Sequence, residues 1–384
     1  MAARGVFVAL ACALLASRVA YGQAPDSSPV FTRVGFTPAH VIATNPFSTG
    51  DAAAANREVR TVPSLTIEVG RQTDGSRDWH HLYGLPAYGF GVSVASLGSG
   101  VTRPVDAYTF FSWPFAHLND RVQVTTDFGM GVSWNWKAFD QRTNSYASVL
   151  GSNLNARIDW GFYLRYVATP QTSVYAGVDF THRSNGGMRQ PDQGINVIGP
   201  SVGLRYNLTP ERVVRPVDDA PSFLPSWEYV VGAAGGRKNV LDELNYLRHD
   251  FGAGTVTGAV QRQFYRYGKI AGGVDFMHDG SSDARGYASS TDVVRQGTFG
   301  DRLSMGFYGG VTSTSSAASA RSCRREYKVV NGSDNPNAPS GYANATGGAS
   351  VSAIASGMRF AVRAIDDRKA DALEFGLGYR SPLR

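Results

Sequence analysis

His182 and Ser184 stand two residues apart in VDFTHRSNGG (178–187), where a run of alternating apolar and polar residues gives way to small polar ones. Residues two apart on a strand share a face and lie about 6.6 Å apart along it, within reach of an imidazole leaning along the chain. A histidine beside a serine, with a polar group to orient the ring, is the arrangement of an activated nucleophile. The chemistry would be nucleophilic catalysis at the hydroxyl. Polar residues at a strand end are ordinary, so the pair alone leaves a structural reading open. A similar stretch, VDFMHDGSSD (274–283), repeats the histidine as His278 but has Gly280 where the serine would stand. It reads as a similar strand end, not a second site.

The elements that would position such a pair are strands. In RVQVTTDFGMGVSWNW, Val122, Val124, Phe128, Met130, Val132, Trp134 and Trp136 alternate with Gln123, Thr125, Asp127, Gly129, Ser133 and Asn135. The run SNLNARIDWGFYLRYVA repeats the pattern, with Arg157, Asp159 and Arg165 on its polar face. Strands of soluble domains are typically about 5 or 6 residues long. These are far longer, and their polar face carries full charges, as expected of barrel strands with lipid outside and a polar lumen inside. A soluble sandwich is the alternative. The 44 glycines and 11% aromatic content suit many strands better than helices.

The expected fold is therefore all-β, a transmembrane antiparallel up-and-down barrel. Eight strands are expected at 30–36, 64–71, 87–97, 105–115, 121–136, 151–167, 172–184 and 195–208. Six more are expected at 226–237, 253–266, 269–278, 301–313, 357–366 and 372–380. Together they suggest one barrel of about 12–14 strands, or an eight-stranded barrel over 30–208 with a separate C-terminal β region over 226–384. The segment 314–356, rich in Ser, Ala, Gly and Asn, reads as a long flexible loop. Short connections at 117–120 and 169–171 mark the periplasmic side, which sets the 184–194 loop and the His182 end outside. On that pleat His182, Ser184 and Asn196 all face outward, toward lipid headgroups.

Residues 1–22 read as a secretory signal peptide: basic Arg4, an apolar run from Val6 to Ala16, and small residues at the cleavage site. Its removal takes Arg4 and Arg18 and lowers the formal charge from +6 to +4. Cys12 leaves with it, so Cys323 remains without an intrachain partner. A mild positive charge suits anionic partners such as phosphorylated lipid. GGRK (235–238) lacks the rest of a phosphate-binding loop, and no nucleic-acid motif is present. His80 and His81 have no carboxylate or cysteine at ligand spacing, so no metal and no cofactor are expected.

The stretch HRSNGGMRQPDQGIN (182–196), followed by GLRY, resembles the motif of the lipid A deacylase and acyloxyacyl hydrolase family of outer-membrane barrels. Further likeness lies in SLTIEVGRQTDGSRDWHHLYGLPAYGFGVSV (64–94), in WPF (113–115), in FDQRTN (139–144) before GSNLNA, and in FAVRA and ADALEFGLGYRS near the C-terminus. The resemblance implies an outer-membrane enzyme that removes an ester-linked acyl chain from lipid A or a related lipopolysaccharide. In it Ser184 would be the nucleophile, His182 the base and Asn196 the orienting residue, with Asn185, Gly187 and Asp192 forming or shaping the oxyanion site. The sequence departs from the pattern twice. Asn196 stands at the family's acid position, and Asp192 at its asparagine, which leaves Asp192 open as a substitute acid. A non-catalytic barrel (pore, adhesin or structural protein) is the other reading of these departures.

Overall fold

The computed structural model describes residues 29–43, 48, 59–97, 102–145, 147, 149–210, 225–241, 247–265, 268–282, 284–286, 293–295, 298–313, 320–331, 347–355, 358–365 and 369–382. The expected signal peptide, 1–22, lies outside them. The chain divides into two compact units, 1–184 with 194–221, and 185–193 with 222–384.

The first unit is a closed antiparallel barrel of eight strands: β1 (Val30–Val41), β2 (Thr61–Gln72), β3 (Ala87–Ala95), β4 (Val105–His117), β5 (Val122–Trp134), β6 (Asn155–Val167), β7 (Thr172–Ser184) and β8 (Ile195–Asn207). Each strand pairs with its sequence neighbour. β1 then pairs with β8, from Phe31↔Asn207 to Val41↔Val197, and the ring is complete. A single ring of 12–14 strands is therefore not formed. Once β1 and β8 exchange their hydrogen bonds, neither has an edge left for a ninth strand.

The alternation read from the sequence is the pleat of the barrel wall. Trp160, Phe162, Leu164, Val178, Val202 and Leu204 are exposed on the outer surface, each about half accessible. An apolar band of this extent would be a liability in water and is what a bilayer requires. Between them, Arg157, Asp159, Arg165, Arg183 and Arg205 point inward and are buried. One exception is Trp136, expected on the outer face. Asn135 takes a positive φ of 67°, and the turned chain buries Trp136 with its indole N–H on Ser133 Oγ at 2.7 Å.

Eight strands leave a lumen just wide enough for side chains to fill. Arg33 bridges Glu68 and Asp127, Arg157 bridges Asp106 and Asp159, and Arg183 reaches Asp106 at 2.6 Å. Such pairs hold only while every member is present, since removing one partner strands a buried charge at a cost of about 3–5 kcal/mol. Toward the end that carries Ser184, the filling turns apolar. Ala39, Val62, Ala95, Leu97, Trp136, Leu150, Ile195 and Val197 form a buried cluster there. A polar cavity of about 40 Å³ remains beside Arg33, Glu68, Asp127 and Asp159.

The second unit closes separately. β9 (Trp227–Leu241), β10 (Arg248–Tyr265), β11 (Gly268–Asp279), β14 (Leu303–Ser313), β15 (Ala320–Asn331), β16 (Gly347–Ala355), β17 (Met358–Ile365) and β18 (Lys369–Pro382) form a second closed barrel. A small ribbon, β12 (Ala284–Gly286) with β13 (Val293–Arg295), stands apart from it. β18 pairs with β9 from Leu373↔Arg237 to Pro382↔Glu228. The separate C-terminal β region is thus itself a ring of eight. The expected loop at 314–356 contains β15 and β16. Their sequences, ARSCRREYKVVN and GGASVSAIA, hide the alternation behind a run of charges in one and small residues in the other.

Candidate active site

His182 and Ser184 lie at the end of β7, and Asn196 lies at the start of β8. The register sets His182 directly opposite Asn196. Directly opposed residues have Cβ atoms about 4.5–5.5 Å apart, which an imidazole and an amide can span. His182 Nδ1 lies 2.7 Å from Asn196 Oδ1, and Nε2 lies 2.9 Å from Ser184 Oγ. An amide oxygen accepts, so Nδ1–H donates to it. That tautomer leaves the Nε2 lone pair to accept the serine hydroxyl. All three side chains are half-buried and lie on the outer side of the wall, alternating with the buried Thr181 and Arg183. Strand pairing alone thus assembles a serine–imidazole–amide chain.

Two further residues hold this geometry, and the sequence reading gave neither a role. Gly194 has φ +66°, and a Cβ there would come within 3.0 Å of His182 Cε1 and 3.6 Å of Ser184 Cβ. Only glycine fits behind the imidazole at that φ. Its place in the quoted motif was the available signal. Arg183, between His182 and Ser184, donates to the fully buried Asp106 through Nε at 3.2 Å and Nη2 at 2.6 Å. That ion pair anchors the inner face of the strand whose outer face carries His182 and Ser184.

The other three expected residues, Asn185, Gly187 and Asp192, form a structure of their own. Gly186 and Gly187 have φ of 66° and 80°. Successive backbone N–H groups in such a turn converge into an anion-binding concavity. Asp192 fills it: its carboxylate accepts the Asn185 N–H at 3.0 Å and the Gly187 N–H at 2.8 Å. The Asn185 side chain is tied to both the N–H and the carbonyl of Arg189. Burial pushes the Asp192 carboxyl up to about 6, against the pull of these N–H groups. Its oxygens are bonded to loop N–H groups, while the imidazole Nδ1 is bonded to Asn196.

His80 and His81 belong to α1 (Asp78–Leu82), a short helix at the barrel end opposite Ser184. His80 pairs with Asp74 at 3.2 Å, and His81 bonds the Gly75 carbonyl at 2.7 Å. Burial lowers the His80 pKa. Both rings tie down the β2–β3 connection.

Two family models match the chain. The one described as lipid A 3-O-deacylase (PagL) matches residues 65–205, and the one described as acyloxyacyl hydrolase, C-terminal domain, matches 227–383. Each falls on one of the two barrels, and between them they span most of the chain. The chain belongs to the lipid A deacylase family. This deacylase is an outer-membrane enzyme acting on lipid A. Among solved structures, the crystal structure of the outer membrane enzyme PagL is 19% identical, with a TM-score of 0.31, over 45% of this chain and 98% of that one. An outer membrane channel from Pseudomonas putida F1 is 8% identical, with a TM-score of 0.20, over 94% and 97%. The Ralstonia pickettii toluene transporter TbuX is 10% identical, with a TM-score of 0.16, over 93% and 90%. A comparison with curated proteins gave no match. The family matches, not the structural likenesses, carry the assignment.

Proposed function

We propose that this deacylase is a serine esterase that cleaves an ester-linked acyl chain of lipid A through an acyl-enzyme. The carrying observation is the chain Ser184 Oγ, His182 Nε2, His182 Nδ1, Asn196 Oδ1, with links of 2.9 and 2.7 Å. Ser184 attacks the ester carbonyl, and His182 Nε2 takes the hydroxyl proton. The Nδ1–H bond to Asn196 keeps the ring oriented while it is cationic. As the ester C–O bond breaks, His182 gives the proton to the departing sugar oxygen, which leaves as a hydroxyl, and the acyl group stays on Ser184. Water attacks next, its proton passing to Nε2 and on to Ser184 as the fatty acid leaves. Asn185, Gly187 and Asp192 shape the loop that follows the nucleophile.

The outward aspect of the three side chains supports a substrate that already lies in the membrane beside the barrel wall. Such a lipid presents its ester at headgroup level and needs no tunnel. The matched family is described by cleavage at the 3-O position, so that ester is the substrate we propose first. Residues 1–22 would serve as the export signal.

Mass spectrometry of lipid A from cells with and without the protein tests this reading. The expected result is loss of one acyl chain in cells carrying the wild type and none in cells carrying Ser184→Ala, which still folds. Deacylation by the serine variant would remove Ser184 from the mechanism.

A further inference from the structure

The loop after the nucleophile belongs with the C-terminal barrel. Residues 185–193, joined to Ser184 by one peptide bond, form a compact unit with β9–β18. Within that unit, neighbouring ends of β9 and β10 hold the loop by its backbone. The Asn239 N–H donates to the Gly187 carbonyl at 3.2 Å. The Asn239 side-chain oxygen accepts the Gln190 N–H at 2.9 Å, and Arg248 Nε donates to the Gln190 carbonyl at 2.8 Å. Gly187 is thus gripped at both polar groups, its N–H by Asp192 and its carbonyl by Asn239. Gln190 is gripped at both by Asn239 and Arg248.

Asn239 is itself immobilised. It is 3% exposed, and its Nδ2 donates to Asp250 Oδ1 at 2.7 Å, which fixes its amide with the oxygen toward Gln190. Asp250 is in turn bonded by Arg237. A fully committed asparagine of this kind acts as a rigid adaptor between a sheet and a loop. These bonds are made to backbone groups, so they set the loop's shape whatever its side chains.

We infer that the C-terminal barrel is a positioning device for the deacylase reaction: Asn239, oriented by Asp250 and assisted by Arg248, fixes the backbone of the loop that follows Ser184. The inference rests on the serine mechanism proposed above. Backbone next to a nucleophile lies beside the charge that develops at the tetrahedral centre, and its placement affects the transition state more than ground-state binding.

The test measures lipid A hydrolysis by the purified full-length protein, with competent Ser184 counted by exhaustive fluorophosphonate labelling. In Asn239→Ala, kcat per labelled serine should fall about 10-fold or more, with KM within about twofold. Asp250→Ala should fall likewise. Asp250→Asn keeps an acceptor for Asn239 Nδ2 and should recover most of the rate. Arg262→Gln, at the far end of the β9–β10 pair, should match the wild type. Unchanged kcat per labelled serine in both alanine variants overturns the inference, as does an equal fall in Arg262→Gln. If Asn239→Ala loses the heat-modifiable mobility of a folded barrel, Arg248→Gln carries the same expectation and the same criterion. Activity surviving in Ser184→Ala would instead overturn the serine mechanism, a separate failure.

Discussion

The ends of β7 and β11 begin alike, VDFTH and VDFMH, and finish differently. Both place a histidine on the outer side of a barrel wall after a valine and a phenylalanine. At β7 the register sets Asn196 across from His182, and Ser184 follows two residues on. At β11 the register sets Leu303 on one side of His278 and Gly254 on the other, neither with a polar side chain. His278 instead stacks on Phe299 with ring centroids 5.7 Å apart. Asp279 closes a tight turn by accepting the Ser281 N–H and hydroxyl, and Gly280 donates its N–H to the Gly252 carbonyl. One strand end is open for chemistry and the other is sealed into a turn. On the proposed mechanism, His182 owes its catalytic setting to its cross-strand partner and to the residue two along. The local motif around it is secondary.

The comparison breaks most visibly at the histidines themselves. His182→Ala should cost about 10³-fold or more in turnover, as expected when one member of a cooperating set is lost. His278→Ala should leave turnover unchanged. Equal effects in a lipid A hydrolysis assay would mean that the two ends are not functionally distinct.

A smaller loss is expected from crowding the imidazole. Gly194→Ala places a methyl within 3.0 Å of His182 Cε1 at a φ that strains any other residue. A displacement of about 1 Å at the ring is worth roughly 10²-fold in rate. In the second barrel, Gly258→Ala meets nothing within 4 Å and should be silent. Kinetics of the two purified variants, side by side, check the contrast.

Asn196→Asp sharpens the comparison in the other direction. It keeps the acceptor 2.7 Å from Nδ1 and adds negative charge toward the imidazolium. Turnover should rise about 10-fold, or about 1.4 kcal/mol off the barrier. No gain at alkaline pH, where the carboxylate is ionised, would mean that the amide already supplies all the orientation the ring needs.

The smallest effect concerns pH. Asp192 must be ionised to accept both loop N–H groups, and its pKa is raised from 3.8 to about 6 by burial. Activity should therefore lose roughly threefold through this group as pH falls past 6, about the worth of one hydrogen bond. Stability moves the opposite way. The native state holds this proton more tightly than the unfolded chain, so falling pH stabilises it between about 6 and 4, with no further gain below. In Asp192→Asn, both the activity step and the stability step should vanish from the pH profiles.

Much of this was legible in the sequence because a barrel wall has a period of two. The eight strands of the first ring and the outward aspect of His182, Ser184 and Asn196 follow from counting alternate residues. Two of the missed parts share a cause. Closure of β1 on β8 and of β18 on β9 depends on pairings distant in sequence, which no local pattern encodes. Asn239 and Arg248 read as ordinary polar residues, since what they hold lies some fifty residues earlier. Trp136 left its expected face because Asn135 turns the chain at the strand's end, and an asparagine in a run of alternating residues gives little warning of that. The role of Asp192 was hidden differently. A carboxylate can orient an imidazole or fold a loop, and only the directions of the neighbouring N–H groups decide which.

The filling of the first barrel has an electrical consequence. Its arginines are each matched by carboxylates or amides fixed to the wall, and the apolar cluster beneath the site carries no charge at all. Among the described residues the charges of the lumen are paired and fixed to the wall, around a polar cavity of about 40 Å³ with room for about two or three waters. Paired, fixed charge leaves little for a potential across the membrane to act on. A ring filled in this way is a wall and not a pore, and on the proposed mechanism lipid and fatty acid move along its outer surface.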